Sequence, residues 1–303
     1  MALIKYRETR VQEIKNKVLE EAHVRLLVKR EDLNHDFISG NKWWKLKYNL
    51  EEARRLGVKT LLTFGGAYSN HIYATAAAAR ESGFNSIGII RGEETLPLNS
   101  TLTFAKICGM QLHYISRELY RNKTDAGFID SLRRKFGNFY LIPEGGTNTL
   151  AVKGCEEFAE KILAEIDFDA LCLPVGTGGT MAGMVNGLAG KKEVIGIAVL
   201  KQGGFLEQET KALISKKDEA QGNWSILTSY HHGGYAKTSP ELIAFMKKIE
   251  TENHLPLDLV YTGKLFWGIM EEVKKGRFAR GSVILSIHTG GLQGYTHEEP
   301  LSE

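Results

Sequence analysis

A glycine-rich turn follows an apolar segment, residues 170–175, near the middle of the chain and precedes a helical pattern. The turn comprises Gly176, Thr177, Gly178, Gly179 and Thr180. Glycines let backbone amides converge, and a helix N-terminus adds partial positive charge, so phosphate is the natural ligand of such a turn. A tight structural turn between a strand and a helix is the alternative interpretation.

The turn does not match two better-known nucleotide motifs. A P-loop requires lysine after its last glycine, whereas Met184 follows Gly183. The dinucleotide fingerprint requires glycine at the position of Met181. The sequence therefore disfavours a nucleotide-dependent oxidoreductase and leaves the identity of the phosphate compound open.

A polar tetrad separates an apolar segment from an alanine-rich helical pattern. It comprises Tyr68, Ser69, Asn70 and His71. Ser69 and Asn70 lie where a helix N-cap is expected, and capping alone is the ordinary interpretation. The functional interpretation is that these side chains and the nearby amides bind a carboxylate, or orient a reacting group, at the positive end of the helix.

Lys42 lies between the turn 39–41 and two tryptophans, Trp43 and Trp44. Apolar surroundings favour the neutral form of a lysine, and the neutral amine is the nucleophile that forms a Schiff base. Chance is the alternative, because the chain has 39 lysine and arginine residues, any of which could flank a tryptophan.

Four further candidates follow short apolar runs or glycines, and they are Tyr235, Tyr261, Thr262 and Thr289. For each of them, a core tyrosine or a turn threonine is the commoner interpretation. His231 and His232 are adjacent, which is poor spacing for one metal ion, and the sequence contains no HExxH pattern. We therefore expect no metal.

Composition excludes several classes of protein. The net charge of the 303-residue chain is only +3, which argues against a nucleic-acid partner. Cys108, Cys155 and Cys172 form no disulfide or zinc pattern, and the last two are expected to be buried thiols. Because we find neither a signal-peptide pattern nor an apolar segment of membrane-spanning length, we expect a cytoplasmic protein without a membrane partner.

Apolar runs alternate with helical patterns along the chain, which predicts an α/β fold with a parallel sheet. The predicted strands are residues 60–64, 86–90, 112–115, 139–142, 170–175, 194–200 and 283–288. The clearest predicted helices are residues 46–57, 71–83, 151–166 and 239–253. Ligands of such sheets bind at the carboxyl ends of the strands, where the glycine-rich turn and the polar tetrad lie.

Together these residues resemble the 1-aminocyclopropane-1-carboxylate (ACC) deaminase and D-cysteine desulfhydrase family of pyridoxal-phosphate enzymes, in the tryptophan synthase β-like group (fold type II). Seven blocks occur in the family's order: KREDLNHDFISGNK, GGAYSNH, PEGGTN, PVGTGGT, GGYAK, VYTGK and IHTGG. The resemblance implies two open, twisted, mostly parallel sheets flanked by helices. It also implies a large cofactor-binding domain of residues 1–44 and 151–303, a small domain of residues 45–150, and a homodimer.

The resemblance also implies roles for individual residues. Lys42 is similar to the lysine that holds pyridoxal 5'-phosphate through a Schiff base, and residues 176–180 resemble the phosphate cup. Asn70 is similar to the asparagine that binds the pyridine 3-oxygen, and Thr289 to a threonine that meets the ring nitrogen. The implied substrate-binding residues are Tyr68, Ser69, Asn70 and His71. The implied catalytic residues are Lys42, Ser69, Tyr235 and Tyr261.

The resemblance leaves the substrate open between two small amino acids. The deaminase branch usually carries glutamine at the position of His71 and glutamate at that of Thr262, while Thr289 ends the last strand as in the desulfhydrase branch. A neutral hydroxyl at the ring nitrogen makes a weaker electron sink, which suits loss of thiolate better than opening of a cyclopropane. D-cysteine is therefore the favoured substrate and ACC the alternative. A non-catalytic ligand-binding protein on the same fold is a more distant alternative.

Overall fold

The structure, a computed structural model, describes residues 3–215 and 222–294, which form ten strands and ten α-helices. The strands are β1 (Val11–Ile14), β2 (Arg25–Lys29), β3 (Thr60–Gly65), β4 (Asn85–Arg91), β5 (Met110–Ile115), β6 (Tyr140–Ile142), β7 (Ala170–Val175), β8 (Glu193–Ala198), β9 (Trp224–Leu227) and β10 (Val283–Ile287). The helices are α1 (Lys17–Ala22), α2 (Asn41–Arg55), α3 (Asn70–Ser82), α4 (Ser100–Ile107), α5 (Ala126–Phe136), α6 (Thr149–Glu165), α7 (Gly179–Leu188), α8 (Phe205–Leu213), α9 (Pro240–Asn253) and α10 (Thr262–Lys274).

The strands form two sheets. The larger sheet has the order β1-β2-β10-β7-β8-β9, and the smaller has the order β5-β4-β3-β6. All pairs are parallel except β1 with β2. In the larger sheet β10 lies centrally, with Ile284 opposite Leu26 of β2 on one side and opposite Ala170 of β7 on the other. The predicted α/β fold with two mostly parallel sheets is confirmed.

All seven predicted strands and all four predicted helices occur, with bounds shifted by a few residues. Helix α2 shows the largest shift, because it begins at Asn41, five residues before the predicted start. Three strands were not predicted: β1, β2 and β9. β1 and β9 are four-residue strands at the two edges of the larger sheet, and such short, half-exposed segments have a weak apolar pattern.

The two sheets draw on different parts of the chain. Residues 60–142 supply every strand of the smaller sheet, whereas the larger sheet is built from both sides of that segment. This division supports the expected small domain of residues 45–150. Helix α2 crosses the expected boundary between residues 44 and 45 and packs against α3 and α6. The domain bounds themselves stay a prediction.

Trp43 and Trp44 belong to the core behind Lys42. Both side chains are buried, and the Trp44 ring stacks on that of Phe158 with centroids 4.7 Å apart. Trp44 Nε1 donates to Glu31 at 2.8 Å, and Trp43 Nε1 donates to the Lys5 carbonyl oxygen at 3.1 Å. Truncation of an aromatic side chain at this depth costs about 3–5 kcal/mol, so these tryptophans anchor the start of α2.

The three cysteines are free thiols, and Cys155 and Cys172 are buried as predicted. Across residues 3–215 and 222–294, each helix is too short or too polar to span a bilayer. Within the same ranges, no three His, Cys, Asp or Glu side chains are grouped closely enough to hold a metal ion.

Candidate active site

A close backbone contact places Lys42 beside the end of the last strand. Gly40 has a φ of +70°, and a Cβ atom at this position would lie 1.9 Å from the carbonyl oxygen of Thr289. Only glycine satisfies both the positive φ and the close approach. The turn that carries Lys42 therefore packs directly against the segment that follows β10.

The side chain of Asn41 joins Lys42 to the glycine-rich turn. Asn41 Nδ2 donates to Thr180 Oγ1 at 2.9 Å, and Asn41 Oδ1 accepts from Lys42 Nζ at 3.1 Å. The amide thereby fixes the amine of Lys42 relative to the first turn of α7. Sequence analysis did not single out Asn41, although it directly precedes Lys42.

The glycine-rich turn forms an uncapped helix N-terminus. Gly178, the N-cap of α7, has a φ of +72° and lacks a side chain that could bind the first amides of the helix. A Cβ atom on Gly178 would lie 2.6 Å from Thr210 Oγ1, and one on Gly179 would lie 2.8 Å from Thr147 Cγ2. Within the described residues, the buried Thr210 hydroxyl has no hydrogen-bond partner. A helix N-terminus without a side-chain cap, its dipole and an orphaned hydroxyl fit a phosphate group.

A second lysine, Lys45, lies one turn after Lys42 on α2 and is buried. Its Nζ atom donates to the Gly145 carbonyl oxygen at 2.6 Å and to Thr147 Oγ1 at 2.9 Å. Thr147 Oγ1 lies 2.6 Å from Thr177 Oγ1, so Lys45 reaches the glycine-rich turn through one hydroxyl. The i, i+3 spacing from Lys42 was the available sequence signal for this residue.

Burial sets the protonation behaviour of both amines. It lowers the pKa of Lys42 to about 8, although the charges of Cys155 and Asp258 favour the protonated form. Burial, followed by the charge of Lys42, lowers the pKa of Lys45 to about 7. Lys42 therefore has an appreciable neutral fraction near neutral pH, which is what a nucleophilic amine requires.

Two tyrosines cover the opposite side of the glycine-rich turn. A Cβ atom on Gly176 would lie 3.2 Å from Tyr261 Cε1, and the rings of Tyr261 and Tyr235 meet edge to face with centroids 6.1 Å apart. Burial raises the pKa of both phenols, so at neutral pH they can donate protons but cannot act as bases. The buried Lys264 fixes the loop of Tyr235, because its Nζ donates to the Gly234 carbonyl oxygen at 2.6 Å.

Asp258 organises the start of α10. Its buried carboxylate accepts from the backbone amides of Val260, Tyr261 and Thr262 at 2.8–2.9 Å. It also accepts from Thr262 Oγ1 at 2.7 Å, so the Thr262 hydroxyl is directed at this carboxylate. Asp258 thus fixes the backbone of Tyr261. Sequence analysis missed it, although an acidic residue just before a helix is a capping signal.

The polar tetrad begins α3, as the capping interpretation predicted. Ser69 is the N-cap, and its hydroxyl oxygen accepts from the Ile72 amide at 3.3 Å. Asn70 opens the helix, and its Oδ1 accepts from Gln293 Nε2 at 2.5 Å. A Cβ atom on Gly291 would lie 2.4 Å from Asn70 Nδ2, so the segment after β10 also reaches this amide.

The other two members of the tetrad face different surroundings. Tyr68 is 41 % exposed, whereas His71 is buried with Nε2 2.7 Å from Thr63 Oγ1. Burial, followed by the nearby lysine charges of α2, lowers the pKa of His71 well below its ordinary value, so the ring is neutral. This placement favours a supporting role behind the site for His71. Its contact with substrate stays a prediction.

The fold brings most of the sequence-predicted site residues to one place. Five loops carry these residues, and they are linked by the contacts of Gly40 with Thr289, Asn41 with Thr180, Tyr261 with Gly176 and Gly291 with Asn70. These loops follow the carboxyl ends of β3, β7 and β10 and precede α2 and α10, as expected for a parallel α/β fold. The five residues that sequence analysis missed are Asn41, Lys45, Thr147, Asp258 and Gln293.

Comparisons with known proteins agree with this geometry. A family model described as pyridoxal-phosphate dependent enzyme matches residues 4–290. A Pyrococcus horikoshii protein, provisionally named as a 1-aminocyclopropane-1-carboxylate deaminase, is 34% identical over 301 residues, covering 96% of this chain and 91% of the relative. The mitochondrial bifunctional D-cysteine desulfhydrase/1-aminocyclopropane-1-carboxylate deaminase of Arabidopsis thaliana is 31% identical over 291 residues, covering 89% and 73%.

One solved structure supports the same family, and a more distant one shares the fold. The crystal structure of an ACC deaminase homologue has a TM-score of 0.83 at 30% identity and covers 97% of this chain and 92% of its own. O-ureido-L-serine synthase, at 15% identity and a TM-score of 0.72, shares the fold, covering 99% of this chain and 95% of its own. The cofactor of this group is pyridoxal phosphate, and the uncapped α7 N-terminus together with the buried Lys42 amine fits its phosphate and aldehyde groups. The chain therefore belongs to the pyridoxal-phosphate dependent enzymes and, within them, to the ACC deaminase and D-cysteine desulfhydrase family.

Proposed function

We propose that this chain is a pyridoxal-phosphate dependent lyase that converts D-cysteine and water into pyruvate, hydrogen sulfide and ammonia. The observation that carries the proposal is the neutral character of the residues expected near the ring nitrogen. Thr289 is expected to offer a hydroxyl there, whereas the hydroxyl of Thr262 donates to Asp258, whose carboxylate already accepts from four donors. A hydroxyl keeps the ring nitrogen unprotonated more readily than a carboxylate does, which suits substrates with a good leaving group.

Each group of the cofactor has a matching element in this chain. The amine of Lys42 would hold the aldehyde carbon, and the uncapped N-terminus of α7 would hold the phosphate. The side-chain amide of Asn70 would donate to the 3-oxygen, and the Thr289 hydroxyl would meet the ring nitrogen. Bound pyridoxal phosphate supplies an electron sink for the pair left on Cα when its proton is removed.

The side chains of the site then carry the protons. Lys42 Nζ would accept the Cα proton of the bound substrate, and a pKa of about 8 suits a base near neutrality. The Cβ–S bond breaks as a Cα–Cβ double bond forms, and a protonated phenol of Tyr261 or Tyr235 donates a proton to the departing sulfur. The released enamine reacts with water to give pyruvate and ammonia. The atoms of D-cysteine and one water are then accounted for by pyruvate, hydrogen sulfide and ammonia.

The alternative substrate is ACC, which would give 2-oxobutanoate and ammonia. The provisional name of the Pyrococcus horikoshii relative and the bifunctional name of the Arabidopsis thaliana relative favour it. In that reaction Ser69 or Tyr261 would take part in opening the ring. The neutral hydroxyl of Thr289, and a threonine instead of a glutamate at position 262, argue for D-cysteine over ACC.

A paired product assay tests the proposal. Purified protein with added pyridoxal phosphate receives D-cysteine, L-cysteine or ACC, and sulfide, pyruvate and 2-oxobutanoate are quantified. We expect pyruvate and sulfide in equal amounts from D-cysteine and none from the Lys42→Ala variant. Production of 2-oxobutanoate from ACC at a higher kcat/KM than pyruvate from D-cysteine would contradict the substrate assignment.

The proposal also covers the cellular location, the oligomeric state and the division into domains. The resemblance to the family supports a cytoplasmic homodimer, and the division of strands between the sheets supports a small domain of residues 45–150. Light scattering of the purified protein tests the dimer, since twice the chain mass is the expected result and the monomer mass the contrary one.

A further inference from the structure

Gln293 contacts Asn70 from the segment that follows β10. Its Nε2 donates to Asn70 Oδ1 at 2.5 Å, although 223 positions separate the two residues along the chain. On the other side, a Cβ atom on Gly291 would lie 2.4 Å from Asn70 Nδ2, so only glycine leaves room for this end of the amide. The hydrogen bond therefore fixes the Asn70 oxygen, and the backbone of Gly291 lies close to the nitrogen.

The orientation of this amide decides what it offers to a ligand. A primary amide presents either a hydrogen-bond acceptor, its oxygen, or two donors on its nitrogen. Because Asn70 Oδ1 already accepts from Gln293, the nitrogen is the atom left for a ligand. A donor stabilises negative charge on a neighbouring oxygen, whereas an acceptor destabilises it.

We infer that Gln293 is a positioning residue that holds Asn70 with its N–H groups toward the 3-oxygen of the bound cofactor. This inference rests on the proposed role of Asn70 in cofactor binding. Gln293 contacts Asn70 rather than the reacting atoms, so its effect on the cofactor passes through that single amide.

Gln293 should therefore affect the absorbance of the bound cofactor. A donor at the 3-oxygen weakens the hold of that oxygen on the proton it shares with the Lys42 nitrogen. The pH at which the visible band of the bound cofactor titrates is therefore lower with the donor in place. Gln293→Met preserves side-chain length but removes the hydrogen bond, and we expect this midpoint to rise by about one pH unit.

The test is a double-mutant cycle on the holoenzyme. Absorbance against pH and the dissociation constant of pyridoxal phosphate are measured for wild type, Gln293→Met, Asn70→Ala and the double variant. We expect Gln293→Met to raise the midpoint and weaken cofactor binding about 3–10-fold in the wild type, and to have no effect in the Asn70→Ala background. Gln111→Met, on the exposed side of edge strand β5, is the matched control and should match wild type.

A second variant distinguishes the inferred effect on Asn70 from a general loss of folding. Gln293→Glu keeps the length and offers only acceptors, so it turns the Asn70 oxygen toward the cofactor, and we expect a larger rise in the midpoint than for Gln293→Met. An effect of Gln293→Met that persists in the Asn70→Ala background overturns the inference. An unchanged midpoint in Asn70→Ala overturns it too while the proposed function stands. A wild-type protein that binds no pyridoxal phosphate overturns both.

Discussion

Asn41 donates a hydrogen bond to Thr180 at 2.9 Å, and its carbonyl oxygen accepts one from Lys42 at 3.1 Å. One amide thus connects the amine that would hold the cofactor aldehyde to the turn that would hold its phosphate. The two ends of the ligand are separated by a fixed distance, so a site that fixes both ends in advance binds with less loss of freedom. The connection involves only the start of α2 and the start of α7.

Removal of this connection should weaken cofactor binding without unfolding the protein. We expect Asn41→Ala to raise the dissociation constant of pyridoxal phosphate about 3–10-fold, the equivalent of one hydrogen bond. Thr180→Val should have a similar effect. The dissociation constant of the double variant should be no higher than that of the single variant that binds the cofactor less tightly. Additive losses would show that the two side chains act independently.

The lowered pKa of Lys42 predicts how the apoenzyme captures its cofactor. Only the neutral amine attacks an aldehyde, and burial lowers the pKa of Lys42 to about 8. The neutral fraction therefore grows about tenfold per pH unit below this value and is constant above it. We expect the capture rate to rise up to about pH 8 and then level off, as followed by absorbance.

Nα-acetyl-lysine is the control for that measurement. Because its amine is exposed, its reaction rate with the aldehyde should keep rising with pH up to about pH 10.4. A capture rate of the apoenzyme that still rises tenfold between pH 9 and pH 10 is the contrary result. It would mean that the amine of Lys42 is not desolvated in the folded apoenzyme.

The contact between Gly40 and Thr289 predicts a difference between two glycines. Both Gly40 and Gly57 have a φ near +70°, but a Cβ atom on Gly57 would have no neighbour within 4 Å. Gly57→Ala should lower the free energy of unfolding by about 1–2 kcal/mol, the cost of the left-handed conformation. Gly40→Ala should lower the free energy of unfolding by roughly 1–3 kcal/mol more, because its Cβ atom would clash with the backbone of Thr289. Urea denaturation checks this, and equal losses would contradict the close contact.

The role assigned to Thr289 predicts a change of reaction preference. Thr289→Glu places a carboxylate where the ring nitrogen is expected, which favours the protonated ring and a stronger electron sink. The ratio of kcat/KM for ACC to that for D-cysteine should therefore rise, by about tenfold. Thr289→Gln is the matched control of the same size without charge. If the two variants change the ratio equally, charge at this position does not select the reaction.

The sequence predicted the parts of the fold that depend on local patterns. Strand β7 occurs at the predicted residues 170–175, since an entirely apolar run before a glycine-rich turn has few other conformations. β2 was missed because its central place depends on pairing with β10, more than 250 positions away, which no local window contains.

The same distinction holds for the site. The motifs that contain Lys42 and the glycine-rich turn are continuous in sequence and were identified, whereas Gln293 acts through a hydrogen bond across 223 positions. Lys45 was missed because the helix was predicted to begin at residue 46, so its i, i+3 relation to Lys42 on α2 was not used. Trp43 and Trp44 had suggested apolar surroundings for Lys42, and burial does lower its pKa, although both rings pack in the core behind it.

The most direct test of the account is to locate the lysine that holds the cofactor. Lys45 is buried and Lys42 half-buried, the two lie one turn apart, and both have a lowered pKa, so either could hold the cofactor. Holoenzyme is reduced with borohydride to fix pyridoxal phosphate on its lysine, digested, and sequenced by fragment mass spectrometry. The account predicts the pyridoxyl group on Lys42 alone. A group on Lys45, or an unmodified peptide from protein that retains the visible band, would contradict it.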